Sequence, residues 1–398
     1  SDVCSSDLAK IIIGADLVPT ESNYNYFKGC ETEYLIGKKI TEKLNNADFT
    51  IFNLEVPLTD KKNPINKCGP NLSAPTDTIA GIKAINSHFF TLANNHILDQ
   101  GEDGLYSTLN LLNQEGIAYA GAGKNLEEAT KPYIVKINGI TVGIYCCAEH
   151  EFTIATAQKA GANPFDALES LDQVYRLKSI CDYVIVLYHG GKEHYRYPSP
   201  YLQKVCRKLV EKGADLVVCQ HSHCIGAQEE WIDEIEEKYS GTIVYGQGNF
   251  LFDDCENEYW QTSLLIEVDI EKTEKIVTKI NYIPLCKMSE TVRIAQESVK
   301  QQILSEFQHR SQEILNSEKV EERYQKFADS MIMSYLSTFS GSITKKFFYR
   351  VMNKISGYRL NRWIVKRRYG KKERLSIQNF IECEAHRELI LKGLTGEK

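Results

Sequence analysis

The chain contains no apolar run approaching the roughly 18 residues that a membrane-crossing helix requires. It also lacks the succession of basic, apolar and small residues that marks a secretory leader. The first apparent strand begins about ten residues in, at Lys10-Ile11-Ile12-Ile13. Ser1 to Leu8 carries no weight, and a segment lost upstream of Ser1 would be compatible with an anchored, extracytoplasmic form. Paired C-x-x-C motifs are absent too, although there are twelve cysteines. Their spacing is irregular, and Cys146, Cys147, Cys181 and Cys219 lie in or beside apolar runs, where a free thiol behaves as a small hydrophobe. That pattern argues against a disulfide-stapled scaffold and for a reducing, cytoplasmic setting, with association to a membrane left open. No internal repeat or low-complexity tract stands out. The formal charge of -6 and the 42% hydrophobic content are ordinary for a globular protein and name no partner. A length of 398 residues suits one large domain with an appendage.

What the sequence does have is a series of polar residues standing where apolar runs end. Asp16 follows Ile11-Ile12-Ile13-Gly14-Ala15, Asn53-Leu54-Glu55 follows Phe49-Thr50-Ile51-Phe52, and Asn94-Asn95-His96 follows Phe89-Phe90-Thr91-Leu92-Ala93. His189 closes the run from Tyr183 to Tyr188, and His221-Ser222-His223 comes soon after Leu216-Val217-Val218-Cys219. Short β-rich runs of this kind read as buried strands of an α/β sheet whose carboxyl ends share one rim. Oxygen and imidazole ligands then converge on one crevice, which is the geometry a metal pair needs.

Helical spacing predicts helices over 33–44, 78–85, 104–114, 171–179 and 201–212, with Gly116 stopping the third. Asn138-Gly139 between two β-rich runs predicts a hairpin with a type I′ turn, so the sheet is mixed. A second hairpin is expected from 263–269 and 275–283. From about residue 289 the pattern becomes helical, placing a boundary between a domain over 10–288 and a helical appendage over 289–398.

Six blocks, in order, carry a family resemblance: Gly-Ala-Asp16, Asn53-Leu-Glu55, Asn94-Asn-His96 with Asp99 and Gly101, His189-Gly-Gly-Lys-Glu193, His221-Ser-His223 and Tyr245-Gly-Gln-Gly-Asn249-Phe. Together they resemble the CapA/PgsA family of capsule and poly-γ-glutamate biosynthesis, whose domain is related to calcineurin-like metallophosphoesterases. The resemblance covers about residues 10–284. It implies a metallophosphoesterase-like mixed-sheet sandwich flanked by helices, and two divalent metal ions, with Mn, Fe and Zn all compatible with the ligand types. Glu55 is the candidate bridge. By similarity, Asp16 and His223 complete one metal site, while Asn95, His189 and His221 complete the other. Two departures from the wider superfamily stand out: Asp16-Leu17-Val18 replaces the usual Asp-x-His, and Glu55 stands where Asp is common. Gly-Ala-Asp16 in place of Gly-Asp reads as loop variation.

The residues admit their own chemical reading. In an extended segment residues i and i+2 point to the same side, so His221 and His223 can each reach one ion. His96, adjacent to a ligand, is the candidate to protonate a leaving oxygen or stabilise transferred charge. Asp99 either orients that imidazole or caps the following helix. Glu193 binds substrate, positions His189 or simply faces solvent; Asn249 contacts substrate or shapes a turn. His88, His150, His194, His309 and His386 are expected to be ordinary hydrogen-bonded or solvated residues.

Residues 345–374 carry twelve basic side chains against one acid, Glu373, so this segment is +11 and the remainder of the -6 chain is -17. Phe347, Phe348, Val351, Met352 and Ile355 recur at helical spacing, with Trp363 and Ile364 beyond. Such a stripe either packs on the large domain or lies on an anionic membrane or polymer. No nucleic-acid motif accompanies it. The expected function is metal-dependent hydrolysis in a polymer pathway, a metal-activated hydroxide attacking a phosphoester or related ester or amide. The alternative is a non-catalytic, metal-stabilised scaffold that binds an anionic polymer, membrane or assembly partner through the basic segment. Oligomeric state is not legible in the sequence.

Overall fold

A computed structural model describes residues 7–232, 240–253, 256–339, 354–357, 359–382, 386 and 390. Contacts divide the chain into two compact units, Ser1–Val320 and Glu321–Lys398. In the first unit the strands are β1 (Asp7–Val18), β2 (Phe49–Leu54), β3 (Phe89–Thr91), β4 (Ala118–Ala120), β5 (Ala122–Gly123), β6 (Tyr133–Ile137), β7 (Ile140–Ala148) and β8 (Gly161–Ala162). They continue as β9 (Tyr183–His189), β10 (Leu216–Gln220), β11 (Gln228–Ile232), β12 (Ser240–Val244), β13 (Asn249–Phe252), β14 (Thr262–Lys272), β15 (Ile276–Met288) and β16 (Thr291–Ile294).

Two large sheets form. One runs β16-β15-β14-β1-β2-β3-β4 with β13 also paired to β1, and the other runs β11-β12-β10-β9-β7-β6. β1 to β4 are mutually parallel, as are β7, β9, β10 and β12, while the outer strands are antiparallel. Because side chains alternate along a strand, each sheet buries both faces. Ile11, Ile13, Ile51 and Phe89 of the first sheet pack against Ile144, Ile185, Leu187 and Val218 of the second. Ile12, Phe52 and Phe90 turn the other way, onto helices Thr32–Asn45, Ile79–Ala84 and Gly101–Glu115. Val184 and Val186 pack on helices Ser170–Lys178 and Pro200–Glu211. The result is the helix-flanked, mixed-sheet sandwich that the resemblance implied.

Both predicted hairpins are present. Asn138 and Gly139 have φ of 44° and 85°, the two positive values a type I′ turn demands, and they join β6 to β7. β14 pairs with β15 over the whole of its length. The helices begin or end within a few residues of their expected bounds, and Gly116 closes its helix at φ 69°. The first unit takes in helix Glu297–Glu313, which lies beyond residue 288: Ile303 and Phe307 pack with Ile225, Leu264 and Ala295, and Arg310 Nε donates to the Gly226 carbonyl at 2.7 Å.

The second unit is helical where described, with most of Ser317–Phe339, then Arg359–Arg368 and Lys371–Glu382. Residues 345–353, which hold most of the expected apolar stripe together with Lys345, Lys346 and Arg350, lie outside the described residues. Among the described residues no helix is long and apolar enough to cross a membrane, and Cys206 and Cys219 are free thiols 3.6 Å apart.

Candidate metal centre

Parallel pairing sends the carboxyl ends of β1, β2 and β3 in one direction, and those of β9 and β10 bring their own residues to the same place. Asp16 pairs in register with Asn53 on one side and Asn249 on the other. The register slips between Ile13 and Asp16, so the residue that makes Gly-Ala-Asp of Gly-Asp is absorbed within the strand as a β-bulge, not as loop variation. A bulge turns the following side chain, here Asp16, toward the site. Beneath it Gln247 Nε2 donates to the Ile13 and Leu264 carbonyls at 2.8 and 2.9 Å, and Gln220 Nε2 reaches the Gly14 carbonyl at 3.3 Å, linking the two sheets.

Ligand-type atoms of Glu55, His189 and His221 gather within 4.8 Å of one another, and those of Asp16, Glu55 and His223 do the same. Glu55 belongs to both groups. All five side chains are buried. His189 Nε2 lies 3.4 Å from Glu55 Oε1 and 3.0 Å from Asn95 Oδ1, and His223 Nδ1 lies 3.4 Å from Asp16 Oδ2. Both Glu55 oxygens, Asp16 Oδ2 and His221 Nδ1 are buried with no hydrogen-bond partner. Buried polar atoms are normally satisfied, and a cluster of orphaned acceptors around one shared carboxylate fits a pair of divalent cations. Oxygen and imidazole donors without thiolate suit Mn, Fe or Zn.

The electrostatics agree. Burial pushes the Asp16 carboxyl up, as does the charge of Glu55. Burial acts on Glu55 in the same sense, but His189 and His223 overcome it and hold that carboxyl well below the usual range. His223 resists its own burial because Asp16 and Glu55 favour its charged form, which pushes it up to about 9. His189 is raised against burial by Glu55, while burial and the other histidines take His221 well below its ordinary value. The two carboxylates thus draw positive charge onto the site.

His221 and His223 converge, but not by strand alternation. They follow β10 in a turn with φ of 94° and 53°, left-handed values that few residues other than glycine adopt. Strain of this kind, worth roughly 1–3 kcal/mol per residue, concentrates at functional sites. The Trp260 ring packs on His223 at 4.6 Å and Phe252 meets it edge-on at 5.7 Å, holding the imidazole in place.

The family model described as "Bacterial capsule synthesis protein PGA_cap" matches residues 10–254, more than half of the chain. The chain belongs to this family. Among its relatives are the "Capsule biosynthesis protein CapA" of Bacillus anthracis, 30% identical over 232 residues, 56% of this chain and 54% of that protein. The "PGA biosynthesis protein CapA" of Bacillus subtilis (strain 168) is 28% identical over 213 residues, 52% of this chain and 54% of that protein. The chain thus spans about half the length of these curated relatives. Among solved structures it aligns with a novel phosphatase from Mycoplasma pneumoniae at 15% identity and a TM-score of 0.43, over 71% of this chain and 95% of that one. A 5'-nucleotidase precursor from Thermus thermophilus aligns at 12% identity and a TM-score of 0.43, over 75% of this chain and 58% of that one.

In this member of the PGA_cap family the expected residues do not all meet at one point. Asp16, Glu55, Asn95, His189, His221 and His223 meet at the cluster. His96 and Asp99 stand beside it: His96 Nδ1 is 2.6 Å from Asp99 Oδ2, and Gln100, not Asp99, occupies the N-cap of the next helix. Asn249 Oδ1 is 2.8 Å from His223 Nδ1, where it orients that ring. Glu193 is exposed, sits next to His194 in sequence and is not among the clustered ligand residues. His194 accepts from Trp260 Nε1 at 2.9 Å and stacks on Tyr259.

Sequence reasoning assigned no role to Asn53, Asn94 or Lys67. Asn53 Nδ2 donates to Asp16 Oδ1 at 2.8 Å and lies 3.2 Å from His189 Nδ1, and Asn94 Nδ2 donates to Asn53 Oδ1 at 3.0 Å. A usable signal existed for Asn53: it precedes Glu55 by two residues at a strand end, so both point the same way. Lys67 sits in an irregular segment with no such cue.

Proposed function

We propose that this protein is a metal-dependent hydrolase of a capsule or poly-γ-glutamate-type polymer pathway, acting on a phosphoester or a related ester or amide bond. The observation that carries this reading is the buried Glu55 carboxylate, with neither oxygen hydrogen-bonded, shared by two groups of ligand-type side chains. Asp16, Glu55 and His223 would hold one divalent cation; Glu55, Asn95, His189 and His221 would hold the other. Such cations, when bound, supply Lewis acidity and make water a stronger acid at neutral pH. Asn53 and Asn249 keep Asp16, His189 and His223 aimed inward, the usual outer-shell task.

His96 does the proton work in this reading. A 2.6 Å separation between Nδ1 and a carboxylate oxygen places a proton between them, on Nδ1, so Nε2 is the nitrogen left to exchange a proton with substrate. Metal analysis of the purified chain, joined to a hydrolysis screen of phosphomonoesters, phosphodiesters and γ-glutamyl amides, tests the proposal. His96→Ala is expected to reduce turnover at least ~100-fold, within the range general acid catalysis supplies, while leaving metal content intact. A chain that stays metal-free under every loading condition overturns the reading.

A second reading is favoured by one observation. Helix Arg359–Arg368 exposes Trp363 amid Arg359, Arg362, Lys366, Arg367 and Arg368, and Ile355 before it is also exposed. A basic helix with an exposed aromatic suits an anionic polymer or membrane surface, so a non-catalytic accessory role would act through this helix. Neutralising Lys366, Arg367 and Arg368 together then abolishes function in cells, whereas His96→Ala is silent.

A further inference from the structure

Between Thr59 and Ser73 the chain is almost without regular structure and mostly exposed, yet it carries a lysine whose side chain is not. Lys67 is flanked by exposed Asn66 and Cys68, but its own side chain is only 3% accessible. Burying an ammonium is expensive unless it is paired and hydrogen-bonded. Its partners are both at the candidate centre: it forms an ion pair with Asp99 Oδ1 and donates to the Asn95 carbonyl at 3.2 Å, while the protonated His96 Nδ1, 3.2 Å away, is a neighbour that offers it no acceptor. The rest of the segment is pinned to the same turn. Leu72 N donates to Asp99 Oδ2 at 2.6 Å, Ile65 N to the Asp99 carbonyl at 3.0 Å, and Asn63 N to Gln100 Oε1 at 2.8 Å.

We propose that Lys67 is a positioning residue for the half of the metal centre built from Asn95, His189 and His221. Asn95 Oδ1 reaches His189 Nε2 only from the turn after β3. The other anchors of that turn act on its neighbour Asn94, whose Nδ2 donates to Asn53 Oδ1 and the Leu54 carbonyl, whose Oδ1 accepts from His96 N and whose carbonyl accepts from Thr153 Oγ1. Lys67 ties down the Asn95 peptide itself. Asp99 neutralises the ammonium, so Lys67 contributes position with no net charge added beside cations. In the opposite half Asn53 holds Asp16 from β2 and Asn249 holds His223 from β13; Asn53 also reaches His189, but among the described residues neither asparagine is hydrogen-bonded to Lys67. Loss of Lys67 therefore affects one half and spares the other.

The inference rests on the two-cation reading above, and Mn2+ loading separates the two. Stoichiometry and electron paramagnetic resonance would be measured on the full chain, wild type against Lys67→Met. The wild type is expected to take two Mn2+ and to show the exchange-coupled spectrum of neighbouring ions. Lys67→Met is expected to keep one ion at wild-type affinity, to bind the second roughly 10–100-fold more weakly, as loss of an outer-shell partner does, and to give a mononuclear spectrum. Lys67→Met/Asp99→Asn removes both buried charges and covers the case in which the single variant fails to fold; it should show the same selective loss, because the Asn95 carbonyl still lacks its donor. Equal affinity for both ions in the variants, or parallel weakening of both, overturns the assignment to Lys67. A wild-type chain that takes no Mn2+ instead overturns the metal reading itself.

Discussion

Replacing Glu55 by glutamine preserves its shape while removing the charge that both ligand groups share. Glu55→Gln is expected to lose most bound metal, and with it the rise in melting temperature on adding Mn2+ or Zn2+ that linkage predicts for any ligand of the native state; metal analysis and thermal melts check both. A pH dependence follows from His223, pushed up from 6.5 to about 9 by Asp16 and Glu55 despite burial. Its protonation stabilises the metal-free fold fully below about pH 6.5 and ceases to do so as pH rises through 9. A cation must displace the same proton, so apparent metal affinity rises across this window, by up to about tenfold per unit for one proton released. Titrations at about pH 6.5, 7.5 and 8.5 should show that trend, and a flat profile would contradict it. At this scale Asp16, Glu55 and the three histidines were legible because each ends an apolar run. Lys67 was not, since an ammonium in an irregular loop leaves no local pattern; Asn53 stood visibly at a strand end, but nothing local announced its contact with His189, 136 residues away.

Helix Glu297–Glu313 illustrates how an element's membership depends on its partners. Its composition resembles the helical C-terminal region, yet Phe307 is 4% exposed and meets Tyr282 edge-on at 4.9 Å. Phe307→Ala is expected to cost about 3 kcal/mol, the low end for an aromatic-to-alanine core change, measured by urea denaturation with metal-binding stoichiometry unchanged. Loss of less than about 0.5 kcal/mol, the scale of a surface change, would remove the helix from the core. Hairpins, strands and most helices followed from local periodicity and turn chemistry. The positive-φ turn through His221 and His223 did not, because nothing in the residue types of His-Ser-His announces left-handed backbone.

For the whole molecule, the first compact unit ends at Val320, beyond the change of sequence texture near residue 289. A chain ending at residue 320 is expected to fold and bind metal like the full protein. One ending at 288 lacks β16 and helix Glu297–Glu313, exposes Ile225 and Leu264, and is expected to be insoluble or to melt far lower. Circular dichroism melts of the two fragments distinguish these outcomes.

The order of apolar runs and the polar residues that close them determined the strands, the class of fold and the ligand types of the centre, because period-two burial and turn chemistry act over a few residues. Only the tertiary structure decided which sheet each strand joins, that Asn53 links Asp16 to His189, and that Lys67 enters from a distant loop. Those outcomes depend on packing and hydrogen bonds between segments far apart in the chain, where the spacing of residues along the sequence carries no information about distance in space.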